Sequence, residues 1–313
     1  MPSPCSHQGA LIRLMPICGS IFGVGKNMSN IGLVLSGGFA KGAYQVGVLR
    51  ALSEFINDDD RVYISAASVG CLNAYSFASN KLDIASDLWL NLNLEGVRPT
   101  FRRFARTPYI MNIIDTLVTE KDSLQYCLYA TCFNVKKVKL DYINLKKVDP
   151  QKIRDYLKAS VALPIFFDAV EISGCKYYDG AMIDNIPIAP LMKHKLDYVI
   201  IVYFDNDAYT FENDYFDNKL IKINFLDNKI IENTFSFNRE SILRMINVGY
   251  EYSNTVFDMI FKNGTDDMDY IYKKIAVYNA MKKDRVLRIT GDVVLNNINK
   301  FMKKFISRQV KGR

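Results

Sequence analysis

The sequence predicts an α/β protein in which a mostly parallel central sheet carries helices on both faces and a helical C-terminal region completes the fold. Short apolar runs, typical of buried strands, alternate with stretches of helical periodicity along the chain. Glycine-rich turns join strand to helix at two places. The run at 198–204 is apolar and rich in β-branched residues, as expected for a strand that is buried on both faces.

Strands and helices are predicted to alternate from residue 31 onward. The predicted elements are, in order, a strand at 31–35, a helix at 43–55, a strand at 62–67, a helix at 72–78, a helix at 82–92, a strand pair at 128–135 and 138–143, a helix at 151–159 and a strand at 198–204. An Asp-, Asn- and Phe-rich stretch then precedes helical patterns at 236–261 and 293–310. We therefore expect an α/β domain at 28–205 and a helical region at 206–313.

The first 27 residues are expected to be an extension outside the fold. Pro16 and several glycines interrupt the apolar run at 14–24, and no clear signal-peptide cleavage pattern follows it. Met28 stands just before the first strand and is the expected functional start. No stretch of the chain approaches the roughly 20 apolar residues of a transmembrane helix.

Composition and charge argue against several classes of function. The 40 Lys and Arg against 33 Asp and Glu leave a net charge of +7, which suits an anionic membrane surface better than a nucleic acid. The six cysteines lie far apart without zinc-site spacing, so we expect reduced thiols in a cytoplasmic protein that is at most peripheral at a membrane. Secretion without a recognisable signal stays open, and the oligomeric state is not predicted.

The first motif with chemical meaning runs from Ser36 to Gly42, where the first strand ends and a helix begins. Such a turn points backbone N–H groups outward, and with the positive end of the helix it forms a site for an oxyanion or a phosphate. The positions of Gly37, Phe39 and Gly42 break the dinucleotide-binding pattern, and no P-loop pair of Lys and Ser or Thr follows. A plain tight turn is the alternative.

The second motif runs from Ala66 to Gly70, follows an apolar strand and opens a helix. It matches the nucleophile elbow G-x-S-x-G, except that Ala66 replaces the first glycine. In such an elbow the serine, here Ser68, has a strained backbone and an exposed hydroxyl. The alternative is that Ser68 is the N-cap of the helix.

The third motif places an acidic residue, Asp179, at the end of a short predicted strand and beside Gly180. The segment Asp184-Asn185-Ile186-Pro187 follows it. A carboxylate at a strand end can act as a general base. An ordinary turn is the alternative, because Asp-Gly is a frequent turn pair.

Together, the three motifs resemble the patatin-like phospholipase family, in which a G-G-x-x-[KR]-G oxyanion loop is followed by a G-x-S-x-G nucleophile and then an Asp-Gly-[GA] base. The corresponding segments here are Gly37 to Gly42, Ala66 to Gly70 and Asp179 to Ala181, and further similar stretches lie at 42–49, 159–164 and 184–187. The resemblance covers about 31–204 and implies a three-layer α/β sandwich. Phe39 and Ala66 depart from the pattern, since glycine is usual at both positions.

The resemblance implies a serine acyl hydrolase of the phospholipase A or lysophospholipase type that needs no metal or organic cofactor. Its substrate would be a phospholipid or lysophospholipid, with Ser68 as nucleophile and Asp179 as base in a catalytic dyad. The N–H groups of Gly37, Gly38 and Phe39 would form the oxyanion hole. The residues that support the motifs are Lys41, Gly42, Gly70 and Gly180.

Several alternatives stay open from the sequence. A Ser-His-Asp triad has only His7 and His194 to draw on, and His194 lies in a basic run. A patatin fold that binds lipid or protein without turnover, an acyltransferase, a thioesterase and a nucleotide-binding enzyme are the other functions. Lys41 either adds positive potential at the site or is solvated, and the basic amphipathic pattern that follows Val294 either lies on an anionic membrane or packs on the core.

Overall fold

The computed structural model describes residues 28–92, 109–164, 167–204, 208–211, 218–225, 238–281 and 284–287. The predicted extension at 1–27 and the predicted helix at 293–310 lie outside these ranges and stay predictions, as does any role of His7. None of the helices in the described ranges combines the length and the apolar character that crossing a bilayer requires.

A mostly parallel sheet forms the centre of the fold. Its strands are β1 Asn30–Leu35, β2 Arg61–Ala66, β3 Cys127–Asn134, β4 Lys139–Asn144, β5 Val170–Ile172, β6 Cys175–Asp179, β7 Tyr198–Tyr203 and, after β8 Ala208–Phe211, β9 Leu220–Asn224. Their order in the sheet is β5-β6-β3-β2-β1-β7-β9, with β4 also paired to β3. The pairs β1–β2, β1–β7, β2–β3 and β7–β9 are parallel, whereas β4, β5 and β6 add antiparallel pairs. The strand β8 pairs separately with β10, Asp284–Leu287.

Helices form a layer on one face of this sheet. They are α1 Gly42–Ser53, α2 Val69–Ala78, α3 Leu82–Leu90, α4 Tyr109–Leu117, α5 Pro150–Val161, α6 Arg239–Ile260 and α7 Met268–Ala280. Alternation along β1 explains the two faces, because Leu33 and Leu35 join the core beneath the helices while Val34 joins a second core. Ile188 and Leu191 cover that second face. The short 3₁₀ helix Ala189–Leu191 lies on that second face, so the predicted α/β class, a mostly parallel sheet with helical elements on both faces, is confirmed.

The helices α1 and α6 cross in close backbone contact. A Cβ atom added to Gly47 would lie 2.0 Å from the carbonyl oxygen of Ile246, and one added to Gly249 would lie 2.2 Å from that of Tyr44. Only glycine permits this approach. The crossing fixes the orientation of α1, which follows directly on the glycine loop that begins at Ser36.

The structure differs from the predicted elements in two instructive places. The helix after the second strand begins at Val69 and not near residue 72, because Ser68 leaves the strand in one sharp turn. The strand β9, Leu220–Asn224, lies inside the region predicted to be helical, and it extends the main sheet beside β7. It is short and contains a buried lysine, Lys222, which hides its strand character in the sequence.

Candidate active site

Two strands that run toward each other along β3 create the site. The strand β2 pairs with β3 as far as Ala66 opposite Ala130, and β6 pairs with the next part of β3 up to Asp179 opposite Cys132. Ala130 and Cys132 are two residues apart, so the ends of β2 and β6 are separated by roughly 7 Å along β3. The chain leaving β2 thus brings Ser68 to the end of the strand that carries Asp179.

Ser68 has the backbone conformation of a nucleophile elbow. Its φ of 53° and ψ of −133° are strained for any residue except glycine, and strain of this kind is concentrated at functional sites. Ser68 stands at the N-cap position of α2, as the alternative interpretation expected, but its hydroxyl makes no capping hydrogen bond to the helix. A Cβ atom on Gly70 would lie 2.6 Å from the carbonyl oxygen of Leu35, whereas Ala66 ends an ordinary strand and needs no glycine.

Asp179 is almost fully buried, with 1% of its surface exposed. Its Oδ1 atom accepts a hydrogen bond of 2.8 Å from the N–H of Ala181, which is the contact expected of an Asp-Gly turn. Its Oδ2 atom is also buried but accepts no hydrogen bond of normal length from the described residues. Burial raises the pKa of Asp179 to about 7, while the nearby Ser68 hydroxyl and the Ala181 N–H act to lower it.

The glycine loop lies directly against the serine. A Cβ atom on Gly37 would lie 2.8 Å from the Cβ atom of Ser68, so the loop reaches this position only as glycine. However, the N–H of Gly37 donates a hydrogen bond of 2.9 Å to Oδ1 of Asn185. The N–H of Gly37 is therefore already bonded to a side chain in this structure, and its place in the oxyanion hole stays a prediction.

Two other backbone donors beside Ser68 have no partner among the described residues. They are the N–H of Gly38, which follows Gly37, and the N–H of Val69, which follows the serine. Gly38 is one of the predicted oxyanion donors, whereas Val69 was not predicted. The elbow pattern could have indicated Val69, since the residue after the nucleophile commonly donates to the oxyanion in such elbows.

Phe39 and Lys41 have specific structural roles in the loop. Phe39 has a φ of 52°, which explains why glycine is favoured at this position, and its side chain lines a pocket beside Ser68. The Lys41 ammonium donates a hydrogen bond of 3.2 Å to the carbonyl of Phe204 and lies 5.4 Å from the centre of its ring. Lys41 therefore links the loop to the end of β7 and is not simply solvated.

The other predicted support residues, Gly42 and Gly180, permit close packing. A Cβ atom on Gly42 would lie 2.9 Å from Cζ2 of Trp89, and one on Gly180 would lie 2.6 Å from Cγ2 of Thr131. Thr131 in turn donates a hydrogen bond of 2.8 Å to the carbonyl of Ala66. Both strand ends are thus packed on the same segment of β3.

A buried polar network supports the loop from the helical side. The amide of Asn73 donates hydrogen bonds to the carbonyl of Gly42, at 2.9 Å, and to Oε1 of Gln45, at 2.8 Å. Gln45 donates to the carbonyl of Ser36 at 2.7 Å, and the indole of Trp89 donates to Asn73 at 3.0 Å. Since satisfied buried networks are rigid, these contacts hold the loop, α1, α2 and α3 together.

An apolar pocket opens beside Ser68. The empty space in and in front of it is about 820 Å³, and part of this space is open solvent. Its lining is almost entirely hydrophobic and comes from α2, α3, α4 and the residues after α5. The lining residues closest in sequence to the loop and the elbow are Phe39, Val69 and Leu72, and those farther along include Ala85, Ile113 and Phe167.

His194 lies apart from the serine and the carboxylate. Its Nε2 atom is 3.0 Å from the Tyr129 hydroxyl, and its ring stacks on Tyr63 at a centroid distance of 4.0 Å. Burial and neighbouring lysines lower the pKa of His194. Because these contacts engage the ring on the second face of the sheet, His194 does not form a triad with Ser68 and Asp179.

Comparison with known proteins identifies the relatives of this chain. Residues 33–192 match the family described as patatin-like phospholipase. A protein of Invertebrate iridescent virus 6 named probable lipid hydrolase 463L is 27% identical over 198 residues, which cover 54% of this chain and 68% of that protein.

Solved structures also resemble the chain at low identity. The structure of VipD from Legionella pneumophila is 11% identical, with a TM-score of 0.36, and the match covers 81% of this chain and 74% of VipD. The ExoU–SpcU complex from the type III secretion system of Pseudomonas aeruginosa gives 14% identity and a TM-score of 0.30, and the match covers 81% of this chain but 58% of that chain.

Proposed function

The chain belongs to the patatin-like phospholipase family, and we propose that it hydrolyses fatty acyl esters of phospholipids or lysophospholipids through a dyad of Ser68 and Asp179. The observation that carries this proposal is the buried, unpaired Oδ2 atom of Asp179 at the end of the strand that meets the elbow of Ser68. An unpaired buried carboxylate oxygen is unfavourable for folding alone, so its retention supports a chemical role.

Asp179 is the general base in this mechanism. Its pKa of about 7 gives it far more affinity for a proton than an ordinary carboxylate, while a large fraction stays ionised near neutral pH. As Ser68 attacks the ester carbonyl, the hydroxyl proton passes to Oδ2, and Oδ1 stays fixed by the Ala181 N–H. Catalytic hydrogen bonds are often long before substrate binds, so the contact with Ser68 is expected to shorten in the complex.

The oxyanion that forms on the substrate is stabilised by backbone donors of the loop and the elbow. The N–H groups of Gly38 and Val69 are the donors proposed for this step. Gly38 follows the glycine that lies against Ser68, Val69 follows Ser68 itself, and neither N–H has a partner among the described residues. The N–H of Phe39 stays a predicted third donor. A single donor of this kind typically contributes about 100- to 1,000-fold to the rate.

The apolar pocket beside Ser68 is the proposed site for the fatty acyl chain. Its hydrophobic lining favours an alkyl chain over a polar substituent, and Phe39 contributes to it directly from the oxyanion loop. After the alcohol leaves with a proton returned by Asp179, water attacks the acyl-enzyme with Asp179 again as base. The products are a fatty acid and a deacylated lipid.

Labelling with a fluorophosphonate tests the proposal. Wild-type protein should be modified at Ser68, as found by mass spectrometry, and Ser68→Ala should remove the label. Asp179→Asn should slow labelling strongly, whereas Ser76→Ala, whose hydroxyl bonds only the carbonyl of Leu72 among the described residues, should label like wild type. A folded wild-type protein without label at Ser68 would contradict the dyad and favour a lipid-binding protein without turnover.

The substrate class needs a separate measurement. Release of fatty acid from phospholipid and lysophospholipid vesicles, compared with release from an acyl thioester, separates the proposed activity from that of a thioesterase. Transfer of the acyl group to an added alcohol without release of free fatty acid would favour an acyltransferase.

A further inference from the structure

The turn between β3 and β4 exposes apolar and basic side chains together. It consists of Val135, Lys136, Lys137 and Val138, here called the basic tip, and all four residues are exposed. Val135 and Val138 keep 38% and 47% of their surface exposed. These two exposed valines, which flank the lysines, do not contribute to the core of the protein.

Val138 is also strained. Its φ of 48° lies in the left-handed region, where a β-branched side chain is a genuine outlier. Glycine or asparagine would occupy such a turn position at much lower cost. Because the valine is strained and half exposed, folding alone gives no reason for it, and strain of this kind favours a role at a surface.

The positive charges of the basic tip are not neutralised. Neither Lys136 nor Lys137 forms an ion pair with the described residues. A third lysine, Lys139, pairs with Asp141 at 3.1 Å. Lys176 lies on the neighbouring strand, where its carbonyl accepts a hydrogen bond of 2.9 Å from Val135, and its side chain is exposed. The tip is therefore a basic turn in which Val135 and Val138 flank the two lysines, while Glu171 lies opposite Lys176 on the adjacent strand.

The basic tip projects from the same end of the sheet as the candidate active site. Cys132 on β3 lies opposite Asp179, and the tip begins three residues later at Val135. At the rise of an extended strand, this places the tip about 10 Å beyond the level of Asp179. A flat surface in contact with the tip would therefore face the end of the sheet at which Ser68 lies.

We infer that the basic tip docks on the surface of an anionic lipid bilayer, with Lys136 and Lys137 near lipid phosphates and the valines in the headgroup region. Lysines beside exposed apolar residues are the combination that interfacial segments use. The four residues of the tip include no aromatic side chain, the residue type that is enriched at the centre of protein–protein interfaces. The inference rests on the proposed function, because a lipid substrate is the reason to expect a membrane as the partner.

Vesicle sedimentation of the full chain tests the docking. All proteins carry Ser68→Ala so that the vesicles stay intact, and the vesicles contain phosphatidylcholine alone or with phosphatidylserine. Lys136→Glu with Lys137→Glu should lower partition onto the anionic vesicles by about 30-fold or more, given the usual contribution of a basic residue near such a surface. Unchanged partition would overturn the inference.

The matched control reverses the charge of two exposed lysines at the opposite end of the sheet, through Lys121→Glu with Lys262→Glu. Lys121 precedes β3, and Lys262 follows α6 near Thr265, whose carbonyl binds the Ser29 hydroxyl before β1. This variant has the same net charge as the tip variant but should partition close to the Ser68→Ala parent. An equal loss in both variants would mean that overall charge, and not the basic tip, determines binding.

Val138→Asn separates docking from folding. Asparagine tolerates the left-handed conformation, so the variant should unfold at a higher temperature, yet it should lower partition onto anionic vesicles by about 5-fold through lost apolar contact. Higher stability with unchanged partition would overturn the role of the valine.

The two proposals can fail separately. With Ser68 intact, the Lys136→Glu and Lys137→Glu variant should hydrolyse a soluble ester like wild type and lose activity only on vesicles. Loss of soluble-ester hydrolysis in that variant would mean that the substitutions disturb the site and would overturn docking as their cause. The protein could instead prove inactive on every ester while its vesicle binding still depends on the tip. That result would contradict the proposed function and leave the docking inference standing.

Discussion

The side chain of Asn185 forms hydrogen bonds with both the N–H and the carbonyl of Gly37. Its Oδ1 atom accepts the Gly37 N–H at 2.9 Å, and its Nδ2 atom donates to the Gly37 carbonyl at 3.4 Å. Asn185 follows Asp184, whose carboxylate accepts a hydrogen bond of 2.6 Å from the Tyr142 hydroxyl. The segment after the candidate base is thereby bonded to the loop that precedes the candidate nucleophile, so we expect Asn185 to act as a positioning residue.

Replacing Asn185 tests this positioning role. We expect Asn185→Ala to lower kcat on a soluble ester by up to about 100-fold with little change in KM, because a small displacement of the loop misaligns the oxyanion donors. Asn185→Asp keeps the acceptor for the Gly37 N–H and should recover part of kcat. Tyr142→Phe serves as the control, and an equal loss of kcat in both variants would contradict a specific role for Asn185.

The pH dependence of hydrolysis follows from the environment of Asp179. In the proposed mechanism only the unprotonated carboxylate accepts a proton from Ser68, and burial raises the pKa of Asp179 to about 7. We therefore expect kcat/KM on a soluble ester to be low in acid and to rise with pH through about 7. A profile whose acid limb lies near the ordinary carboxylate value of 3.8 would contradict the assignment.

Asp179 should also make the protein less stable as pH rises. The unfolded chain loses this proton near 3.8 and the folded chain near 7, so the folded state binds more protons between those values and its relative stability falls as pH rises. The pKa difference corresponds to about 4 kcal/mol. Asp179→Asn keeps the shape without the charge and should raise the free energy of unfolding above neutral pH.

Urea unfolding of wild type and Asp179→Asn at several pH values measures this effect. The two proteins should differ little below the unfolded-state pKa, where the carboxyl group is neutral in both states, and should diverge as the pH approaches 7. A variant that is destabilised at every pH would show that the carboxylate is a structural group and not a charge held for chemistry.

The far part of the apolar pocket should determine the preferred length of the acyl chain. Ser76 lines the pocket and lies eight residues after Ser68 along α2, roughly 12 Å away at the helical rise. Ser76→Leu fills this region, so kcat/KM for long-chain esters should fall by about 10-fold relative to short-chain esters. Ser76→Ala should keep the wild-type profile, and a uniform loss across all chain lengths in Ser76→Leu would contradict the pocket assignment.

Local patterns in the sequence were sufficient for much of the fold. The strands that became β1, β2, β3, β4 and β7 were predicted within one or two residues of their observed ends, because their apolar runs end in glycine or polar residues. The strands β5, β8, β9 and β10 and the helices α4 and α7 were missed. Among these, β9 depends on pairing with β7, a contact between residues far apart in the chain that periodicity does not report.

The sequence by itself determined the three motifs, their order and the family, because strained turns and buried carboxylates need particular residue types at fixed spacing. Only the tertiary structure decided which donors are available. The Gly37 N–H is taken by Asn185, a residue 148 positions away, while Val69 presents an N–H without a described partner. It also decided that Asp179 holds its proton up to about pH 7, because desolvation depends on how the whole chain encloses the carboxylate.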